Sequence, residues 1–156
     1  MFAADMDADR PRIAMEWVEG EPLLDWTSTQ VRSVSARLEL MVAVCASMGR
    51  VHAEGVVHRD LKPDNLLVTE AGQPRIVDFG VSVRVDAPDA ERAMSVGTPS
   101  WASPEQHRGE PATPASDVWA LAILCWQVLT GRHPFDEAPP GPTGPGRSHS
   151  RRWRGR

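Results

Sequence analysis

Asp60, Lys62, Asn65 and Asp78 fall within nineteen positions of the chain. Together they offer two carboxylates, a cation and an amide oxygen. Carboxylate and amide oxygens are hard ligands of the kind magnesium takes while keeping waters and phosphate oxygens. A cation beside a phosphate eases the build-up of negative charge. A set of this composition suits chemistry on a phosphoryl group, which needs in-line positioning and charge cancellation. Gly80, two residues after Asp78, lets the backbone turn sharply beside such a site. Singly, each residue also has a plainer role. Asp60 and Asn65 suit turns, Asp78 suits the start of a turn before glycine, and Lys62 suits a solvated surface.

The four residues sit in longer motifs. The run His58-Arg59-Asp60-Leu61-Lys62-Pro63-Asp64-Asn65 is followed by Asp78-Phe79-Gly80, Gly97-Thr98-Pro99 and Ser103-Pro104-Glu105. Their order and spacing resemble the protein-kinase signature set, with Ser103 in the first place of its Ala-Pro-Glu. The resemblance is to bacterial-type Ser/Thr protein kinases and runs from about residue 11 to residue 135. It implies an α+β, protein-kinase-like fold: a mostly helical C-terminal lobe with a hinge strand and a short β-hairpin. It also implies ATP and Mg2+ as cofactors and a protein Ser or Thr hydroxyl as substrate. By the same resemblance, Asp60 faces the attacking hydroxyl, Lys62 the γ-phosphate, and Asn65 and Asp78 hold magnesium. Thr98 is expected to contact Asp60 and Lys62. Lys62 at this spacing, with Gly97-Thr98-Pro99, implies Ser/Thr rather than Tyr specificity.

Further positions follow from the resemblance. Met15-Glu16-Trp17-Val18 looks like the hinge, with the Glu16 carbonyl and Val18 amide on adenine's edge and Met15 as gatekeeper. An ordinary edge strand is the plainer alternative. Leu67 matches the leucine under adenine, and Asp25 could reach a ribose hydroxyl. His58 and Phe79 resemble the stacked pair of the family's hydrophobic spine. Asp117 resembles the aspartate that accepts the amides of the His58–Arg59 turn; a simple helix N-cap, worth about 1 kcal/mol, is the alternative. Arg59 implies docking of a phosphorylated activation-loop residue, for which Ser95 is the candidate. Glu105 is expected to pair with an arginine from helices further along.

The elements that must position these residues can be read from pattern. Arg12 to Val18 reads as a short strand, with Phe2 to Asp5 as the stub of its partner, and Leu23 to Thr27 as one helical turn. A helix capped by Ser33 or Ser35 carries Leu38, Met41, Cys45 and Met48 as its apolar stripe, extended by Val34 and His52, and Gly55 stops it. Leu66 to Val77 reads as a hairpin turning at residues 71–74. Residues 78–105 have no period and read as a long functional loop. Ser116 or Asp117 caps an apolar helix over 118–129, ended by Gly131. The tail from residue 136 holds four prolines, four glycines and five arginines and is expected to be disordered. The expected organisation is therefore residues 1–135 as a partial kinase domain and 136–156 as a tail.

Composition bounds the partners. A net charge of −4 gives no global argument for nucleic acid or an anionic membrane. No apolar run is long enough to cross a bilayer, and two isolated cysteines form no disulfide framework, so a cytoplasmic setting fits. Lys62 is the single lysine and no G-x-G-x-x-G occurs. The resemblance implies a phosphate-covering loop, a strand lysine and its partner glutamate ahead of the hinge; these are expected to be missing, leaving this chain with negligible activity alone. Helices that would cover 118–129 are also expected to be missing. Val118, Leu121, Ala122, Leu124, Cys125 and Leu129 would then form a patch prone to partner binding or self-association. A non-catalytic kinase-like binding module and a gene remnant are the competing readings; the intact set of four motif residues favours descent from an active enzyme.

Overall fold

A computed structural model describes residues 3–5, 12–14, 16–29, 32–94 and 97–136 of the chain. Strands β1 (Ala3–Asp5) and β2 (Arg12–Ala14) form an antiparallel ribbon with Ala4 opposite Ile13. The strand expected over 12–18 is shorter than that, and residues 16–20 are irregular. Gly20 shows why the chain turns away. A Cβ there would lie 2.9 Å from the Val68 carbonyl oxygen, an approach that excludes a side chain. The chain then enters β3 (Glu21–Pro22) and α1 (Leu23–Ser28), which buries Leu23 and Trp26.

Helix α2 (Val34–Ala53) begins at Ser33, whose hydroxyl accepts the Ala36 amide at 3.1 Å. Its buried stripe is Leu40, Met41, Val44 and Met48. Leu38, Val34 and Cys45 of the expected stripe are exposed instead. The segment is apolar on several faces, so more than one 3.6-residue stripe fits it, and the partner that packs there decides. That partner is α5 (Pro114–Thr130), which starts four residues earlier than the apolar run suggests. Pro114 occupies its first turn, where a missing N–H costs nothing. Thr113 rather than Ser116 or Asp117 is its N-cap residue. Gly131, at φ 73°, closes it in the left-handed conformation that glycine takes freely. Leu121, Leu124 and Val128 of α5 join Leu40, Met41, Val44 and Met48 in one core that also holds Leu61 and Leu66. Leu121 and Leu124 therefore leave the expected exposed patch; Val118, Trp119 and Trp126 are the large side chains that stay open on α5.

Strands β5 (Leu66–Val68) and β6 (Pro74–Ile76) form the expected hairpin, and β3 pairs on the other side of β5. Residues 78–105 are less irregular than their composition suggests. Strand β7 (Val83–Arg84) pairs antiparallel with β4 (Val56–Val57), and two short helices follow, α3 (Asp89–Arg92) and α4 (Pro104–His107). These elements are too short to be stable by propensity alone and depend on the partners they dock against. No described helix is long and apolar enough to cross a membrane. Residues 137–156, Met15 and Ser95 lie outside the described residues.

Candidate active site

The loop of residues 58–65 connects β4 to β5 and is largely buried: His58, Arg59, Asp60 and Asn65 are each at most 9% exposed. Charged side chains reach such burial only when partnered, and each partner can be named. The Asp117 carboxylate, 1% exposed, accepts the His58 amide on Oδ2 and the Arg59 amide on Oδ1, both at 2.9 Å. His52, near the C-terminus of α2, bonds the same Oδ2 at 2.8 Å. The Arg59 guanidinium donates to the carbonyls of Val81 and Glu91. The Arg59 carbonyl accepts from Gln106 Nε2 at 2.9 Å. Arg59 needs this support because its φ is 71°, a left-handed conformation that costs a non-glycine residue about 1–3 kcal/mol.

That turn presents Asp60. Its Oδ2 accepts from Lys62 Nζ at 2.9 Å and its Oδ1 from the Thr98 amide at 2.8 Å. Lys62 Nζ also donates to Thr98 Oγ1 at 2.9 Å. Asn65 Nδ2 donates to the Asp60 carbonyl at 2.9 Å, which leaves its Oδ1 free as an acceptor. Pro63–Asn65 form one 3-10 turn, so the chain doubles back and returns Asn65 to Asp60. Gly97 is fitted to the same place. A Cβ on it would lie 2.8 Å from the Arg59 carbonyl oxygen and 3.3 Å from Asp60 Oδ1.

Burial pushes the Asp60 carboxyl upward. The Lys62 and Thr98 hydrogen bonds and the Lys62 charge outweigh it and hold the group below the usual carboxylate range. Lys62 is raised, first by its hydrogen bond to Asp60, against opposing desolvation, and then by the charges of Asp60, Asp64 and Asp78. Asp78 therefore shares the electrostatic surroundings of Lys62. It too is left-handed, at φ 60°, with Oδ1 accepting the Gly80 amide at 3.2 Å. Among the described residues no group of three or more His, Cys, Asp or Glu side chains converges as a metal site. One carboxylate plus one amide oxygen is instead the sparse donor set magnesium uses when phosphates supply the rest.

The remaining expected residues are dispersed around this centre. The rings of His58 and Phe79 lie 4.7 Å apart, and His58 Nε2 bonds the Val77 carbonyl at 3.2 Å. Leu67, half-buried, pairs with Pro22, so the segment carrying exposed Glu16 and half-buried Val18 leads onto the strand beside it. Asp25 is exposed on α1. Glu105 is paired with Ser116, whose hydroxyl donates to it at 2.6 Å. Burial raises the Glu105 carboxyl and hydrogen bonds, Ser116's first among them, lower it further, for a net depression.

Three supporting residues escape a reading by motif. His52 looks like one more member of a helical stripe. Gln106 carries a signal of its own, since Ser103-x-x-Gln106 fits a capping box, and the box forms. Nothing in that pattern indicates the bond to Arg59. Ser116 reads as a cap and in fact bridges Thr113 and Glu105.

The sequence matches the family model described as "Protein kinase domain" over residues 3–142. The chain belongs to the protein kinase family. It is 39% identical over 141 residues to the serine/threonine-protein kinase Pkn1 of Myxococcus xanthus, a stretch that covers 85% of this chain and 20% of that protein. It is likewise 39% identical over 125 residues to the serine/threonine-protein kinase PknA of Mycobacterium tuberculosis, covering 79% of this chain and 29% of that protein. A third relative, the serine/threonine-protein kinases drp72 of Corynebacterium efficiens, is 37% identical over 125 residues. The chain thus spans about a fifth to under a third of the length of these relatives.

Proposed function

We propose that this chain carries the phosphoryl-transfer centre of a Ser/Thr protein kinase that uses Mg-ATP. The observation that supports it most is the shared Asp60 carboxylate, held between Lys62 Nζ and the Thr98 amide with Asn65 bonded to the same residue. In this reading Asp60 accepts the hydrogen bond of the incoming Ser or Thr hydroxyl. A carboxyl held below its usual range is a weak base, so its contribution is orientation, with proton uptake late in the transfer. Lys62 is protonated and bonded to the same carboxylate, so it is placed to offset charge on the transferred phosphoryl group. Thr98 ties the activation segment to both, so an ordered segment is a condition for a correctly aimed Asp60.

Asn65 Oδ1 and the Asp78 carboxylate would hold magnesium, whose role when bound is to neutralise and orient the phosphates. Glu16 and Val18 would hold adenine's edge, with Leu67 beneath it. Ser95, outside the described residues, would be the phosphorylated regulator. Arg59 already donates to two carbonyls, so docking of a phosphate there would compete with or extend those bonds. The two free thiols fit a reducing, cytoplasmic setting.

The 156 residues contain a single lysine and no G-x-G-x-x-G loop. Removing one preorganised donor at a transition state costs about 10²–10³ in rate, so this polypeptide alone is proposed to transfer phosphate at a negligible rate. Purified chain, Mg-ATP and a basic protein acceptor should give no labelled product above background. Clear turnover that Asp60→Asn abolishes would overturn the proposed negligible rate. Binding is tested separately: Mg-ATP should shift the amide resonances of Asn65, Asp78 and Gly80, and Asp78→Ala should abolish the shifts. Shifts unaffected by Asp78→Ala would count against the proposed metal ligands.

A further inference from the structure

Helices α2 and α5 pack antiparallel: His52 near the end of α2 bonds Asp117 in the first turn of α5, and Arg37 in the first turn of α2 donates to the Val128 carbonyl near the end of α5. Beside that contact an open apolar groove of about 410 Å³ runs between them. Cys45, Met48, Gly49 and His52 line one wall, and Val118, Leu121, Ala122 and Cys125 line the other. Both stripes follow the i, i+3, i+4, i+7 spacing of one helix face. Cys45 lies seven residues before His52 and Cys125 eight residues after Asp117. At 1.5 Å per residue, both thiols sit about 10–12 Å from the same pin, level across the groove. Cys45 is exposed, Cys125 is half-buried, and both are free thiols.

We propose that Cys45 and Cys125 form a dithiol modification site that closes to a disulfide on exposure to a peroxide, clamping α2 to α5. The exposed Cys45 thiolate attacks one peroxide oxygen. The O–O bond breaks, hydroxide leaves and takes a proton, and Cys45 becomes a sulfenic acid. Cys125 then attacks the Cys45 sulfur. The S–S bond forms, the S–O bond breaks and a second water departs. Two thiols lose two electrons, and one peroxide becomes two waters. Burial pushes the Cys45 thiol up and a negative charge on Cys125 adds to this, which lowers the thiolate fraction, so the first step quickens as pH rises. Gly49, between Cys45 and His52 on the same wall, faces open space. The site is separate from the Asp60 centre and does not depend on the phosphoryl-transfer reading.

The test treats the purified, reduced chain with hydrogen peroxide at micromolar protein concentration, blocks remaining thiols and maps tryptic peptides by mass spectrometry. The expected product is a monomer about 2 Da lighter, with residues 38–50 linked to residues 109–132, reversed by dithiothreitol. Cys125→Ser should instead leave Cys45 as sulfenic or sulfinic acid with no linked peptide, and Cys45→Ser should leave Cys125 largely unmodified. Oxidation that stops at separate sulfenic and sulfinic acids, or that yields only intermolecular dimers, would overturn the proposal. If the serine variants fail to fold, the wild-type peptide map alone decides between these outcomes.

Discussion

Replacing Asp117 separates its two roles by magnitude. An N-cap carboxylate is worth about 1 kcal/mol. Here the N-cap residue is Thr113, and Asp117 is instead a 1% exposed acceptor for the His58 and Arg59 amides, with His52 on the same oxygen as His58. In Asp117→Ala both buried amides lose their partner, at about 1–3 kcal/mol each, for a total of about 2–6 kcal/mol. Asp117→Asn keeps one acceptor and turns an NH2 group toward a second donor, so its cost should be about half as large. A domain with about 5–15 kcal/mol of stability would survive the Asn variant and be left marginal by the Ala variant. Urea unfolding followed by tryptophan fluorescence reads both. At an m-value of about 2 kcal/mol/M, a 3 kcal/mol loss moves the midpoint down by roughly 1.5 M. Amide exchange at His58 and Arg59 should also quicken more than elsewhere. A loss for Asp117→Ala near 1 kcal/mol, with those amides unaffected, would refute the pinned turn.

Other perturbations address neighbouring parts of the site. Gly97→Ala should cost on the order of 1–3 kcal/mol, because φ is 95° there and its Cβ would press on the Arg59 carbonyl; an unchanged melting curve would exclude that contact. Since the Asp60 carboxyl is depressed, the stability it confers is present above its unfolded value near 3.9 and is lost as pH falls through its lower folded value. Lys62→Met should remove most of that acid dependence, which urea midpoints between about pH 2 and 6 would show or deny. Because Val118, Trp119 and Trp126 remain open on α5, the chain should self-associate; light scattering that finds only monomer at high concentration would contradict this, and Trp126→Glu should shift any oligomer toward monomer.

The residues of the centre were legible because their motifs are local. Asp60, Lys62 and Asn65 lie within one loop, and a 3-10 turn suffices to gather them. The hairpin and the Ser33 cap were legible for the same reason, since turn and cap chemistry is written in adjacent residues. The buried face of α2 was not. Leu38 to Met48 is apolar enough for several stripes, and contact with α5 and the rest of the core selects Leu40 and Val44 over Leu38 and Cys45. Strand β7 and helix α3 were hidden because pairing with β4 and docking on Arg59, both distant in sequence, hold them. Helix α5 starts before the apolar run because Pro114 suits a helix's first turn, a local signal that a reading by apolar run alone does not use. His52 and Gln106 act through partners 65 and 47 residues away, which no local pattern encodes.

The most direct measurement concerns convergence of Asp60, Lys62, Asn65 and Asp78 on one phosphoryl group. The 156 residues would be joined behind a lobe that supplies a Gly-rich phosphate loop and a strand lysine, and phosphate transfer from Mg-ATP to a Ser/Thr peptide followed. Turnover should appear, and Asp60→Asn should lower it at least about 10²-fold while Mg-ATP affinity stays unchanged. A chimera that folds and binds Mg-ATP yet turns over equally well with Asp60→Asn would contradict the assignment.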